Sequence, residues 1–223
     1  MSPFVITIIG PPGSGKGTQG KVVAQKYNLN HIGVGDLVRQ LIVLDTPLGK
    51  KAKDNYDKGV PQPDEIIIQA VKEKIEKMSA SQRKKGFLFD TFLSFNQAKA
   101  FDEVLKNYDL PGSLAIYLNI SADTVIERTE KRLICSKCGA VFLSKDPAYN
   151  TGKCDKCGGD LMVRSDDKPE VVRRRIEEYK SRMLDLKKYY QDRKRLIVIN
   201  GEPAIEEIHK DIIKKINEFH KTK

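Results

Sequence analysis

The chain has 223 residues, with 40 Lys and Arg against 30 Asp and Glu, for a formal net charge of +10. With 39% hydrophobic and 31% charged residues, it is expected to be neither disordered nor membrane-embedded, and it is long enough for one sizeable core with a small appendage. The charge suits an anionic partner (nucleic acid, an anionic membrane surface or phosphorylated small molecules) without choosing among them.

In chain order, residues 4–9 (FVITII) form a β-branched apolar run ending at Gly10, the pattern of a buried parallel strand. This run is far shorter than the roughly 20 residues of a membrane span. It also lacks the basic start and cleavage site of a signal peptide, so a soluble cytosolic protein is expected. A helical stretch follows from about Gly15 to Tyr27. Short apolar runs at 86–90 (GFLFD), 113–120 (SLAIYLNI) and 195–200 (RLIVIN) predict further strands, with 31–34 a weaker fifth. Helical periods appear in 63–78, through Ile67, Val71, Ile75 and Met78, and in 169–192, through Val172, Ile176, Tyr179, Met183, Leu186 and Tyr190. The last helix carries Ile205, Ile208, Ile212, Ile216 and Phe219 behind Pro203.

Strands alternating with helices predict an α/β fold, a parallel sheet of about five strands flanked by helices. Two segments break the alternation. Residues 36–62 read as two helices joined at Thr46-Pro47. Residues 135–168 hold all four cysteines and no helical period. Both are expected to be insertions at the edge of the sheet.

Residues 10–18 read GPPGSGKGT, between the first strand and the first helix. Glycines at 13, 15 and 17 let such a loop curl its N–H groups inward, the helix N-terminus adds positive dipole, and Lys16 supplies an ammonium for terminal phosphates. Ser14 lies within this nest, and the Thr18 hydroxyl is positioned for phosphate or Mg²⁺. The order departs from the common G-x-x-x-x-G-K-[ST] form, because Gly17 follows the lysine.

Cys135-x2-Cys138 and Cys154-x2-Cys157 complete the cysteine inventory, each pair followed by a glycine (Gly139, Gly158). Paired knuckles at this separation predict a tetrahedral Zn²⁺ site, and four sulfur ligands would make that site structural. Disulfides are the alternative, disfavoured by the cytosolic reading.

On these motifs the chain resembles the adenylate kinases of the nucleoside monophosphate kinase family, over nearly its whole length. Gly35-Asp36 with Arg39 is similar to the family segment that opens the monophosphate insertion, and Gly59 lies near that insertion's end. Residues 86–90 resemble the strand ending in the Asp associated with Mg²⁺ and its waters, here Asp90. Arg128 and Arg132 match the pair leading into the lid, Arg164 and Arg175 match those after it, and Asn200-Gly201 resembles the loop beside the adenine of ATP.

The resemblance implies a core P-loop domain of residues 1–35, 63–131 and 169–223, a monophosphate insertion at 36–62 and a zinc lid at 132–168. It implies ATP contacts at Gly13, Ser14, Gly15, Lys16, Gly17, Thr18, Arg128, Arg132, Asn200 and Gly201. AMP contacts follow at Val34, Arg39, Gly59, Val60, Gln97, Arg164 and Arg175. The expected catalytic set is Lys16, Arg39, Arg128, Arg164, Arg175 and Asp90.

The implied activity is reversible, Mg²⁺-dependent transfer of the terminal phosphoryl group of ATP to AMP. It is the kind of chemistry in which charge stabilisation and positioning replace a covalent nucleophile. The two insertions would close to exclude water, adenylate kinase lids being a standing example of such closure. Neither nucleic acid nor membrane is an expected partner, and the oligomeric state is open.

One departure stands out. Where the family reads G-F-P-R-T after the Asp, this chain has Thr91-Phe92-Leu93-Ser94, one residue shorter to Gln97 and without the arginine. Lys99 is a candidate replacement, and base discrimination could be relaxed. The alternatives are therefore the same chemistry on another nucleoside monophosphate, or a nucleotide or nucleic-acid binder without transferase activity.

Overall fold

The computed structural model describes residues 4–44, 46–58, 60–91, 94–144 and 146–221. The elements run β1 (Val5–Ile9), α1 (Lys16–Tyr27), β2 (Asn30–Gly33), α2 (Val34–Ile42), α3 (Pro47–Asp57), α4 (Asp64–Glu76) and α5 (Ala80–Arg83). They continue through β3 (Phe87–Thr91), α6 (Phe95–Lys106), β4 (Leu114–Asn119), α7 (Ala122–Glu130), β5 (Arg132–Cys135), β6 (Val141–Leu143) and α8 (Pro147–Thr151). β7 (Leu161–Met162), α9 (Pro169–Asp192), β8 (Leu196–Asn200) and α10 (Ile205–Lys221) complete the described chain.

The main sheet has five parallel strands in the order β2-β3-β1-β4-β8, as the alternation of runs predicts. Successive side chains of a strand point to opposite faces, and here both faces are covered. Val5 and Ile9 of β1 join Phe87, Phe89, Ala115 and Tyr117 in one core, beneath α2, α4, α6 and α9. Ile6 and Ile8 join Leu88, Ile116 and Leu118 in the other, beneath α1 and α10. That double burial is why β1 is apolar at nearly every position.

The helical stripes behave as their spacing requires. Val172, Ile176, Tyr179, Met183, Leu186 and Tyr190 are all buried along α9, as are Ile208, Ile212 and Ile216 along α10. The joint at Thr46-Pro47 has a local cause: the Thr46 hydroxyl accepts from the Gly49 N–H at 3.0 Å, and Pro47 starts α3. Helices α6 and α7 are additional to the stripes singled out from the sequence.

Residues 132–162 hold a separate antiparallel sheet of three strands, ordered β6-β5-β7. The short helix α8, which lacks enough length to show a period, lies within it. Its core is small: Ala140, Phe142 and Ala148 beside Cys135 and Cys154. Among the described residues no helix is long and apolar enough to cross a membrane.

Candidate nucleotide site and thiol cluster

The loop between β1 and α1 leaves the central strand, so the ends of β3 and β4 flank it. Gly13 and Gly15 adopt φ of 69° and 89°, a region that side chains with a Cβ rarely occupy. A Cβ on Gly13 would also stand 2.9 Å from Thr129 Cγ2 and 3.1 Å from the Val125 carbonyl. Gly15 is the N-cap of α1, and Gly17 and Thr18 lie in its first turn. Ser14 is buried, and its Oγ has no hydrogen-bond partner. A buried, unpartnered hydroxyl beside a helix N-terminus fits an anion.

Lys16 Nζ donates to the Pro11 carbonyl at 2.8 Å. Burial holds its ammonium down at about 7; Arg175, Arg132 and Arg164 add to this, and Asp90 opposes it. The lysine of the loop thus shares one electrostatic neighbourhood with three arginines from residues 132–175.

Those arginines are anchored by carboxylates. Arg132 grips Asp167 with two bonds, Nε to Oδ2 at 2.9 Å and Nη2 to Oδ1 at 2.5 Å. Arg164 grips Asp166 likewise, at 2.8 and 2.7 Å, and Arg175 Nη1 reaches the same carboxylate at 2.6 Å. Burial raises the Asp166 pKa, but Arg175, Arg164 and a hydrogen bond from Tyr56 outweigh it and hold the carboxyl at about 2. Arg175 is itself lowered by burial, with Asp166 opposing and Arg164 adding.

Arg128 lies on α7. It donates to the Gly201 carbonyl at 2.9 Å and to the Glu202 carbonyl at 2.8 Å, so it borders the Asn200-Gly201 turn. Glu202, which the sequence reading passed over, accepts from the Ser121 N–H and the Thr124 hydroxyl, both at 2.6 Å, and staples this turn to α7.

Asp90 is the penultimate residue of β3, its Oδ2 3.8 Å from where a Gly17 Cβ would stand. Its partner is His31 Nε2 at 2.5 Å. A carboxylate here supplies the hard oxygen donor that Mg²⁺ takes, directly or through water. His31 carried no motif; only the pairing of β2 with β3 brings it to Asp90.

The residues expected around a monophosphate are more dispersed. Arg39 pairs with Asp36 on the outer side of α2. Val34 is buried in the core, and Val60 is exposed. Gly59 lies outside the described residues. Gln97 is buried and spent at both ends: its Nε2 donates to Asp64 Oδ1 at 2.8 Å, and its Oε1 accepts from the Ser94 N–H at 3.2 Å. Ser94 caps α6 and also donates to Asp64 at 3.0 Å. Lys99, the candidate replacement for the missing arginine, lies on α6. It lines a groove with Phe95, Asp185 and Arg193, at least ten residues, or about 15 Å, further along α9 than Arg175.

The thiols converge. Cys135, Cys138, Cys154 and Cys157 place their sulfurs within 4.8 Å of one another. Cys135 and Cys157 are 3.5 Å apart, and Cys138 and Cys154 are 3.7 Å apart. Sulfurs at about 2.3 Å from one ion form a tetrahedron with edges near 3.8 Å, whereas a disulfide needs about 2.05 Å. Gly139 and Gly158, with φ of 66° and 70°, close the knuckle turns. The backbone N–H groups of Cys138 and Lys137 draw the Cys135 thiol down to about 6 against its burial. The four thiols could hold a metal ion.

A parallel sheet with a phosphate-binding loop on its central strand, ringed by arginines, defines a P-loop nucleotide-binding protein. The family model described as adenylate kinase matches residues 8–195. The chain is 38% identical to an adenylate kinase of Alkaliphilus oremlandii over 210 residues, 93% of this chain and 96% of that protein. It is 40% identical to an adenylate kinase of Archaeoglobus fulgidus over 209 residues, covering 93% and 95%. The chain belongs to the adenylate kinase family.

Proposed function

We propose that the protein catalyses reversible transfer of the terminal phosphoryl group of ATP to AMP, giving two ADP. The observation that carries this reading is the phosphate loop itself, with Ser14 Oγ buried and unpartnered at the helix N-terminus and Lys16 electrostatically coupled to Arg132, Arg164 and Arg175. Phosphoryl transfer brings two anions together, and a lysine with three guanidiniums supplies the opposing charge without a covalent step.

In this reading the loop N–H groups, Ser14, Lys16 and Thr18 hold the donor phosphates. Arg128 and the Asn200-Gly201 turn border the donor base. Arg39, Arg164 and Arg175 take the acceptor phosphate, with residues 36–62 and 132–168 closing over the pair. Phosphate oxygens take guanidinium N–H groups of Arg164 and Arg175 beyond those that bind Asp166, so the buried carboxylate keeps its counter-ions while the cations gain a second anion. Asp90 would hold Mg²⁺ through water, and the ion would supply positive charge to the phosphates. A Zn²⁺ ion at the four thiols would have a structural role, since three short strands bury too little to fold alone. A cytoplasmic location belongs to the same reading, because a thiolate site needs reducing surroundings.

The engagement of Gln97 with Asp64 and Ser94 favours a second reading of the acceptor site, in which base selection among monophosphates is loose. A coupled assay with AMP, GMP, CMP and UMP tests both. Turnover highest with AMP and lost in Lys16→Ala is expected; no turnover with any of the four overturns the transferase reading.

A further inference from the structure

The acceptor side of this site is short of one phosphate contact. Residues 91–97 (TFLSFNQ) contain no basic side chain, and Ser94 is occupied in capping α6 and binding Asp64. Helix α3, which the proposed function assigns to the acceptor insertion, brings another group to the cluster. The Tyr56 hydroxyl accepts from Arg164 Nη2 at 3.2 Å. This hydrogen bond joins α3 to the Arg164–Asp166–Arg175 group.

We propose that Tyr56 is an acceptor-binding residue, donating its phenolic proton to the monophosphate held by Arg164 and taking over part of the missing guanidinium's work. The inference rests on the assignment of Arg164 and Arg175 to the acceptor.

The phenol has one proton and two lone pairs. Arg164 uses a lone pair, which orients the O–H away from the guanidinium and toward the anion that Arg164 also binds. Asp166 is that anion in this structure, and the hydroxyl contributes to holding its carboxyl in the charged form. A phosphate bound at Arg164 competes with Asp166 for the same phenolic proton. The position of Tyr56 has a second support: Arg174 Nη1 donates to the Lys58 carbonyl at 2.6 Å, tying the end of α3 to α9. That tie carries no contact to the arginine cluster, so it separates holding α3 in place from donating a proton.

The test compares Tyr56→Phe and Arg174→Ala with wild type, in the full-length protein with zinc bound. A neutral donor to a charged phosphate is worth roughly 10- to 100-fold. Tyr56→Phe should raise the KM for AMP by that factor, leave the KM for ATP within about twofold, and keep an unchanged melting temperature. Arg174→Ala should not reproduce this pattern. Calorimetric titration with AMP reads the same loss without turnover. An unchanged AMP affinity in Tyr56→Phe, an equal effect of Arg174→Ala, or parallel loss of ATP and AMP affinity would each overturn the proposal. Wild-type protein that binds AMP but transfers nothing would sink the proposed function and leave this comparison intact.

Discussion

His31 Nε2 and Asp90 Oδ2, on neighbouring parallel strands β2 and β3, meet at 2.5 Å beside the phosphate loop. The pair holds the carboxylate that faces the loop, and both side chains are largely buried, 21% and 15% exposed. His31→Ala leaves Asp90 without its donor and should destabilise the fold by about 1–3 kcal/mol in urea denaturation. His31→Gln, which keeps an N–H donor, should recover most of that. Equal stability of wild type and His31→Ala would show that Asp90 draws its support elsewhere.

Asp166 is the hinge of the arginine cluster. Its carboxyl is held at about 2, below the unfolded value of 3.8, so its stabilising contribution is complete above pH 4 and fades as pH falls toward 2. Asp166→Asn leaves the half-buried Arg164 and Arg175 without their counter-ion, a loss of about 2–4 kcal/mol at neutral pH. The gap between wild type and variant should narrow between pH 4 and pH 2. A gap that stays constant over that range would contradict the assigned linkage.

Lys16 is perturbed in the opposite sense. A native value of about 7 against 10.5 unfolded means that the folded protein binds its proton less tightly, so the lysine costs stability below pH 7 and the cost shrinks as pH rises toward 10.5. Lys16→Met should therefore be at least as stable as wild type at pH 7 while losing turnover. Phosphates arriving beside Lys16 favour its charged form, so Mg-ATP binding at pH 7.5 should take up protons. Calorimetry in two buffers of different ionisation heat reads this directly; identical heats would refute it.

The thiol cluster predicts one Zn²⁺ per chain. Chelation, or Cys138→Ser, should lower the unfolding temperature of residues 132–162 ahead of the main sheet, seen as a split transition in calorimetry. Metal analysis of purified protein that finds no zinc, together with four freely titrating thiols, would rule the site out.

How much of this could be read beforehand differs by residue. The loop 10–18 and the stripe through α9 are local patterns, and each lies where its spacing requires. The roles around the acceptor were less legible. Gln97, expected beside a base, is a helix-capping side chain bound to Asp64, and Lys99, on α6, lines a groove beside a different stretch of α9 from the one that carries Arg175. Tyr56 carried no signal in a motif, because a lone tyrosine on a short amphipathic helix looks like packing until Arg164, 108 residues away, comes to meet it.

Order along the chain was enough for the phosphate loop, the strand–helix alternation and the paired cysteine knuckles, because each depends on residues within a few positions of one another and on the periods of strand and helix. Folding in three dimensions chose the partners: His31 for Asp90, Tyr56 for Arg164, and the Lys58 carbonyl for Arg174. Those choices turn on which strands pair and how α3 and α9 lie side by side, and no spacing in a linear chain encodes such long-range contacts.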